Sequence, residues 1–250
     1  MEVPVARRNA GEGPETIGLG ERVRGTQPCH PDIQYHHPST MTKAPQASLA
    51  ALADACRQCQ RCPLATGRTQ VVLARGNPVA QLLLIGEAPG AEEDRCGLPF
   101  VGRSGQLLDR LLREAGLDQE RDLYIVNGIK CRPPDNRRPT PAELAACRPW
   151  LEQQIALVDP ALILLVGASA LQTVLGVKGG ITRLRGQWLT GEGPLLAGRF
   201  LMPLFHPSYL LRNASEAEGS PRWLSRADLA ATRRRLDRLD AAGAASACGA

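Results

Sequence analysis

Gln81-Leu82-Leu83-Leu84-Ile85-Gly86-Glu87-Ala88-Pro89-Gly90 joins an unbroken apolar run to a loop built from glycine, proline and one acid. The run is too short for a helix and does not alternate, so it reads as a strand covered on both faces. Three more runs of this kind follow, at Leu123–Asn127, Ala161–Val166 and Phe200–Phe205. Helix-period segments lie between them. Ser104–Ala115 sets Leu107, Leu108, Leu111 and Leu112 on one face, and Pro141–Val158 opens with Thr140 as N-cap and Glu143 three residues on. A last amphipathic helix is expected over Ser225–Leu239. Strands alternating with helices predict an α/β fold with about four strands in a short, mostly parallel sheet, right-handed crossovers and helices on both faces. There is no internal repeat.

Outside this alternation the sequence thins. Residues 1–45 show no periodicity, many Gly and Pro and charges of both signs, which predicts a disordered N-terminal tail; 241–250 is small and polar and reads as a second tail. One domain over 46–240 remains. Nine aromatic residues in 250 exclude an aromatic-rich sandwich. The net charge of +5, carried by 27 Arg and three Lys, permits an anionic partner without requiring one. Eight cysteines in a chain of this length, with no basic start leading into an apolar run, point to the cytoplasm rather than a secreted disulfide scaffold. The most lipid-like stretch, Ala161–Val177, is interrupted by Gly167, Ser169, Gln172, Thr173 and Gly176, so no membrane span is expected.

In open parallel sheets ligands bind beyond the carboxyl ends of the strands. Three of the four strand ends here present Glu87, Asn127 and His206, which the topology would turn toward one crevice.

The cysteines carry a second signal. Cys59-x-x-Cys62 precedes the first strand, and Cys131 and Cys147 follow the second, flanking a Pro- and Arg-rich loop. Zinc, an iron–sulfur cluster and plain buried thiols all remain open, but Cys131 and Cys147 are too far apart for a zinc knuckle, which favours iron–sulfur. Cys56 makes a Cys56-x-x-Cys59-x-x-Cys62 run like a ferredoxin's without its fourth cysteine. Cys29, Cys96 and Cys248 read as small buried hydrophobes.

Five segments resemble the family 4 uracil-DNA glycosylases: Cys59-x-x-Cys62-Pro63-Leu64-Ala65; Gly86-Glu87-Ala88-Pro89-Gly90-Ala91-Glu92-Glu93-Asp94; Pro99-Phe100-Val101-Gly102; Lys130-Cys131-Arg132-Pro133-Pro134; and His206-Pro207-Ser208-Tyr209-Leu210-Leu211-Arg212. They stand in order across about Cys59–Leu239. The resemblance implies a three-layer α/β/α sandwich, a [4Fe-4S] cluster on Cys59, Cys62, Cys131 and Cys147 with Cys56 as an extra thiol, and a monomer acting on uracil-containing DNA. It also implies uracil contacts from Glu87, Ala88, Phe100, Asn127 and His206.

Those residue types suit the chemistry. A flipped base needs a flat apolar surface, which Phe100 offers, and a polar edge partner, which the Asn127 amide offers to uracil O4 and N3–H. Glu87 is placed to orient a water or steady a cationic sugar, and His206 to donate to the departing base. Glu93 is expected as a secondary acid walling off the position where thymine carries its methyl. Glycosylases with a Gln-Asp-Pro-Tyr-His loop have an Asp where this chain has Ala88, so that route to water activation is closed. Lys130, Arg132, Arg137 and Arg138 on one loop, and Ser208 and Arg212 on another, are expected on phosphates, with Leu210 or Leu211 wedged into the gap left by the base. A different class of reading is an iron–sulfur electron carrier or redox-sensing nucleic-acid binder. A relative that traps uracil on a histidine of an inserted basic loop is disfavoured, since Cys131–Pro139 contains no His.

Overall fold

The computed structural model describes the backbone of residues 43–248 and the side chains of 48–242. In chain order the elements are α1 (Lys43–Arg57), α2 (Leu64–Gly67), β1 (Arg75–Gly76), β2 (Leu82–Gly86), α3 (Ala91–Cys96), α4 (Arg103–Glu114), β3 (Leu123–Asn127), α5 (Pro141–Val158), β4 (Leu162–Val166), α6 (Ala168–Leu175), α7 (Ile181–Leu184), β5 (Leu189–Thr190), β6 (Phe200–Leu204), α8 (Pro207–Arg212) and α9 (Pro221–Cys248). The sheet order is β1-β3-β2-β4-β6-β5. Its central four strands are parallel, and the two-residue strands β1 and β5 close the edges antiparallel.

Every residue of β2, β3 and β4 is buried, as expected of strands covered on both faces. Alternate residues sort into two cores. Leu83, Ile85, Tyr124, Val126, Ile163 and Leu165 pack with residues of α1, α5 and α6; Leu82, Leu84, Leu123, Ile125, Leu162 and Leu164 pack with those of α4, α8 and α9. Each buried Leu or Ile contributes about 1.5–3 kcal/mol, so the sheet is held as the middle of a three-layer α/β/α sandwich. The leucine stripe of α4 is buried as its spacing requires. α5 begins with the expected reciprocal cap, Glu143 N–H donating to Thr140 Oγ1 (3.2 Å) and Thr140 N–H to Glu143 Oε2 (2.7 Å).

The chain leaves β2 for β3 on one side and then returns for β4 on the other. That reversal opens a crevice at the carboxyl ends of the strands.

The four expected strands form the parallel centre of the sheet, and two edge strands of two residues each, too short to show a period, extend it to six. Two expectations need correction. α1 begins at Lys43, inside the stretch read as a tail; Leu49, Leu52 and Cys56 are its buried positions. The last helix runs from Pro221 to Cys248, through most of the expected C-terminal tail. Residues 1–42, Cys29 included, and the side chain of Cys248 lie outside the described residues, while Cys96 is half-buried. Among the described residues no helix is long and apolar enough to cross a membrane.

Candidate active site

A cleft of about 630 Å³ lies over the strand ends. Glu87 and Ala88 enter it from the loop after β2, Asn127 from the last residue of β3, His206 and Ser208 from the end of β6, and Phe100 and Glu93 from the α3–α4 region. All the residues expected to touch the base are therefore brought together.

Phe100 is held in an unusual posture. Its φ of 56° is in the left-handed region, which costs an aromatic residue roughly 1–2 kcal/mol, and its side chain is only 6% exposed. Glycines make the room: a Cβ on Gly86 would collide with the Phe100 ring, and one on Gly105 with the Phe100 carbonyl. Glu93 fixes the loop. Its Oε1 accepts from Val101 N–H (2.9 Å) and Gly102 N–H (2.8 Å), and its Oε2 from Gly90 N–H (3.0 Å). Glu93 thus ties the loop bearing Glu87 to the loop bearing Phe100. Three backbone donors thus hold the carboxylate in place where it lines the cleft.

Asn127 is 2% exposed, and its Oδ1 is buried without a hydrogen-bond partner. A buried orphan acceptor costs about 1–3 kcal/mol, so a partner entering the cleft relieves it. Gly86 also clears space for this oxygen, since its missing Cβ would overlap Oδ1 as well as the Phe100 ring. The turn that follows is anchored to the neighbouring loop, with Gly128 N–H donating to Gly86 O (2.9 Å) and Ile129 N–H to Glu87 O (3.2 Å).

His206 is the N-cap of α8. Its Nδ1 accepts from Ser208 N–H (3.2 Å) and lies 2.8 Å from Ser208 Oγ. An Nδ1 that accepts leaves the proton on Nε2. Burial lowers the pKa of the ring below its ordinary 6.5, so it is neutral at pH 7. The ring stands 6.3 Å from Phe100, tilted by 36°. The cleft thus presents a flat apolar face, an unsatisfied amide oxygen and a neutral N–H donor.

The phosphate candidates divide. Arg138, Arg212 and Ser208 line the cleft, and Arg138 and Arg212 are exposed. Arg132 is half-buried, with Nε donating to Asn136 Oδ1 (2.8 Å). Arg137 is committed to Glu143 through two hydrogen bonds of 2.9 and 2.7 Å. Lys130 is 1% exposed and donates to Asn127 O, so it is no phosphate contact. Leu210 is likewise 1% exposed, packed in the core, and not a wedge; Leu211 is partly exposed and Tyr209 is exposed beside it.

The family model for the uracil DNA glycosylase superfamily matches residues 73–230. The chain belongs to that superfamily. It is 49% identical over 160 residues to a type-4 uracil-DNA glycosylase of Thermotoga maritima, covering 64% of this chain and 81% of the relative. It is 40% identical over 172 residues to one from Saccharolobus solfataricus, covering 66% and 78%. A type-5 uracil-DNA glycosylase of Thermus thermophilus is 35% identical over 148 residues, covering 53% and 67%.

In this member of the superfamily five cysteines gather at a second place. Cys56, Cys59, Cys62, Cys131 and Cys147 line one small cavity with Arg68, Lys130 and Trp150. Hydrogen-bond donors face the sulfurs: Arg68 Nη1 to Cys131, Lys130 N–H to Cys147 and Trp150 Nε1 to Cys59, each 3.3 Å. Burial pushes the Cys147 thiol up to about 11 and Cys56 to about 12, against the opposing pull of the nearby Lys130 ammonium. Four cysteine sulfurs around one cavity, with no His or acid among its lining residues, are a donor set that fits a [4Fe-4S] cluster. Sequence reasoning missed Arg68 and Trp150, and nothing local to either residue marks it.

Proposed function

We propose that this chain flips uracil out of DNA and hydrolyses its N-glycosidic bond, leaving an abasic site for base excision repair, as a cytoplasmic monomer. The observation that carries the reading is the buried, unpartnered Asn127 Oδ1 beside the Phe100 ring. A site built to bond a particular base edge rejects a base that leaves its polar group unpaired.

The extruded base stacks on Phe100 and offers its N3–H to Asn127 Oδ1. As the bond between the sugar C1′ and uracil N1 breaks, the electron pair leaves with the base, and negative charge grows on N1 and O2. His206 Nε2–H donates there, stabilising the transition state more than the ground state, by about 2.7–4 kcal/mol for such a donor. Glu87 orients a water toward the electron-poor C1′. The water oxygen bonds to that carbon, its proton is lost to the surroundings, and the uracil anion leaves. Ala88 contributes backbone and space only. Ser208, Arg138, Arg212 and Arg132 hold phosphates flanking the flipped nucleotide, and Leu211 rather than Leu210 faces the emptied stack.

Cys59, Cys62, Cys131 and Cys147 would hold a [4Fe-4S] cluster, with Cys56 as a fifth, non-ligating thiol. When bound, that group supplies a crosslink between the segment before β1, the loop after β3 and α5. Lys130 and Arg68 place two cations against its thiolates.

The test combines two measurements on one preparation. Purified protein is incubated with a uracil-containing oligonucleotide, treated with alkali and run for strand scission, and iron and sulfide are counted per chain. Scission at the uracil with about four irons is expected. A chain loaded with iron that leaves the uracil strand intact at saturating protein is instead an electron carrier or a binder.

A further inference from the structure

Lys130 is a fully buried lysine at the junction between two sites. Its Nζ donates to Asn127 O at 2.6 Å, on one side, and its side chain lines the cysteine cavity on the other. Its backbone is fixed as well: Lys130 N–H donates to Cys147 Sγ (3.3 Å), and Lys130 O accepts from Val72 N–H (2.8 Å), just before β1. Two residues separate Asn127 from Lys130, and these, Gly128 and Ile129, are pinned to the carbonyls of Gly86 and Glu87. The turn 127–130 therefore has two faces. One carries the amide of Asn127 into the cleft; the other carries the ammonium into the cavity of thiols.

A buried ammonium with one carbonyl partner needs compensating negative charge. Nothing acidic lines the cavity, whose remaining residues are Cys56, Cys59, Cys62, Cys131, Cys147, Arg61, Arg68, Ala65, Ala146 and Trp150. Thiolates bound to an iron–sulfur cluster are the available source. We propose that Lys130 is a positioning residue that couples the two sites: held by the thiolate-bound group at one end, it clamps the Asn127 carbonyl and so sets the angle at which the Asn127 amide meets uracil. The inference rests on the glycosylase reading and on the cysteine cavity holding the cluster. It gives the cysteine site a part in base recognition, where a remote crosslink would have none.

Two substitutions separate the two ends. Both variants shorten the side chain by one heavy atom; Lys130→Met loses the donor and the charge, whereas Lys130→Gln loses the charge and keeps an N–H donor. Three quantities are read on the iron-loaded proteins: iron per chain, affinity for free uracil by calorimetry, and the midpoint potential of the cluster by film voltammetry. Lys130→Met is expected to weaken free-uracil binding about tenfold, the size of one lost hydrogen bond. It also makes the potential more negative, because removing a nearby cation disfavours adding an electron. Lys130→Gln is expected to shift the potential in the same direction and to weaken uracil binding several-fold, because its donor is no longer held from the thiolate side. Parent-like uracil binding or a parent-like potential in either variant overturns the coupling. Should Lys130→Met fail to retain iron, Lys130→Gln decides: a shifted potential with weakened binding sustains the proposal, and an unshifted potential or parent-like binding overturns it. A parent protein without uracil-strand scission fails the glycosylase reading itself, a result visible before either variant is made.

Discussion

The place where Gly86 lacks a Cβ is filled by the ring of Phe100, with Asn127 Oδ1 against the same spot. One hydrogen at the end of β2 thus permits both the stacking surface and the edge-reading amide. Gly86→Ala is expected to displace the two together. Excision falls by at least 100-fold in single-turnover assays, while the sheet, whose β2 register with β3 and β4 depends on residues 82–85 as well, keeps its far-ultraviolet circular dichroism. Activity within a few-fold of the parent would show that Phe100 has room to retreat without consequence.

Phe100 itself separates strain from stacking. Phe100→Ala and Phe100→Gly both remove the surface and are each expected to weaken uracil-DNA engagement by about 1–3 kcal/mol. Glycine occupies a φ of 56° freely and alanine does not. Phe100→Gly should therefore be the more stable of the two by about 1 kcal/mol in urea unfolding.

Glu93→Gln probes the tie between loops. A carboxylate accepts three backbone N–H groups, whereas the glutamine amide offers one oxygen and turns an NH2 toward donors. Leaving one buried donor unpaired costs on the order of 1–3 kcal/mol. Single-turnover excision should drop about tenfold or more, accompanied by faster amide exchange at Val101 and Gly102. A drop in activity with exchange unchanged would move Glu93 back to a direct chemical role.

His206→Ala should slow single-turnover excision by roughly 10²–10³ while affinity for uracil-DNA stays near the parent's. Burial lowers the ring's pKa, so the imidazole takes up its second proton at lower pH than a free one does. The parent rate should fall as pH drops through that lowered value. A rate that instead rises as pH falls would mean that the cationic ring is the active form.

Glu143 is held at a pKa of about 2 by its two hydrogen bonds from Arg137 and those at the α5 cap. A depressed carboxylate pKa stabilises the fold above the ordinary value of 4.5, and that stability is lost as pH falls through about 2. Glu143→Gln should lower the urea midpoint at pH 6, and the gap between parent and variant should narrow as pH falls from 4.5 toward 2. A constant gap would assign the effect to the amide's geometry rather than to charge.

The four long strands were legible almost to the residue, since strands covered on both faces must be apolar throughout. α4 and α5 were legible through a leucine stripe and a capping box. α1 was not, because Leu49, Leu52 and Cys56 give it few buried positions and it adjoins a stretch without periodicity. Within the site, residues announced by a strand end or a loop motif landed in the cleft, as Glu87, Asn127 and His206 show. Those whose role depends on a partner distant in sequence were misread. Lysine beside arginine reads as surface charge, and only the arrival of Cys56 and Cys147 around it makes Lys130 an interior residue. The loop tie made by Glu93 was not legible, because two of its three donors lie eight and nine residues further on. Leu210 and Leu211 are adjacent, so a half-turn of helix decides which is buried, and sequence carries no sign of that phase.

The two-residue strands at the sheet's margins bear on life at high local concentration. A long bare margin is a template on which another chain can build. With β1 and β5 spanning only Arg75–Gly76 and Leu189–Thr190, each margin offers few open backbone groups for a neighbour to pair with. The same brevity that hid these strands from the sequence blunts the edges of the sheet.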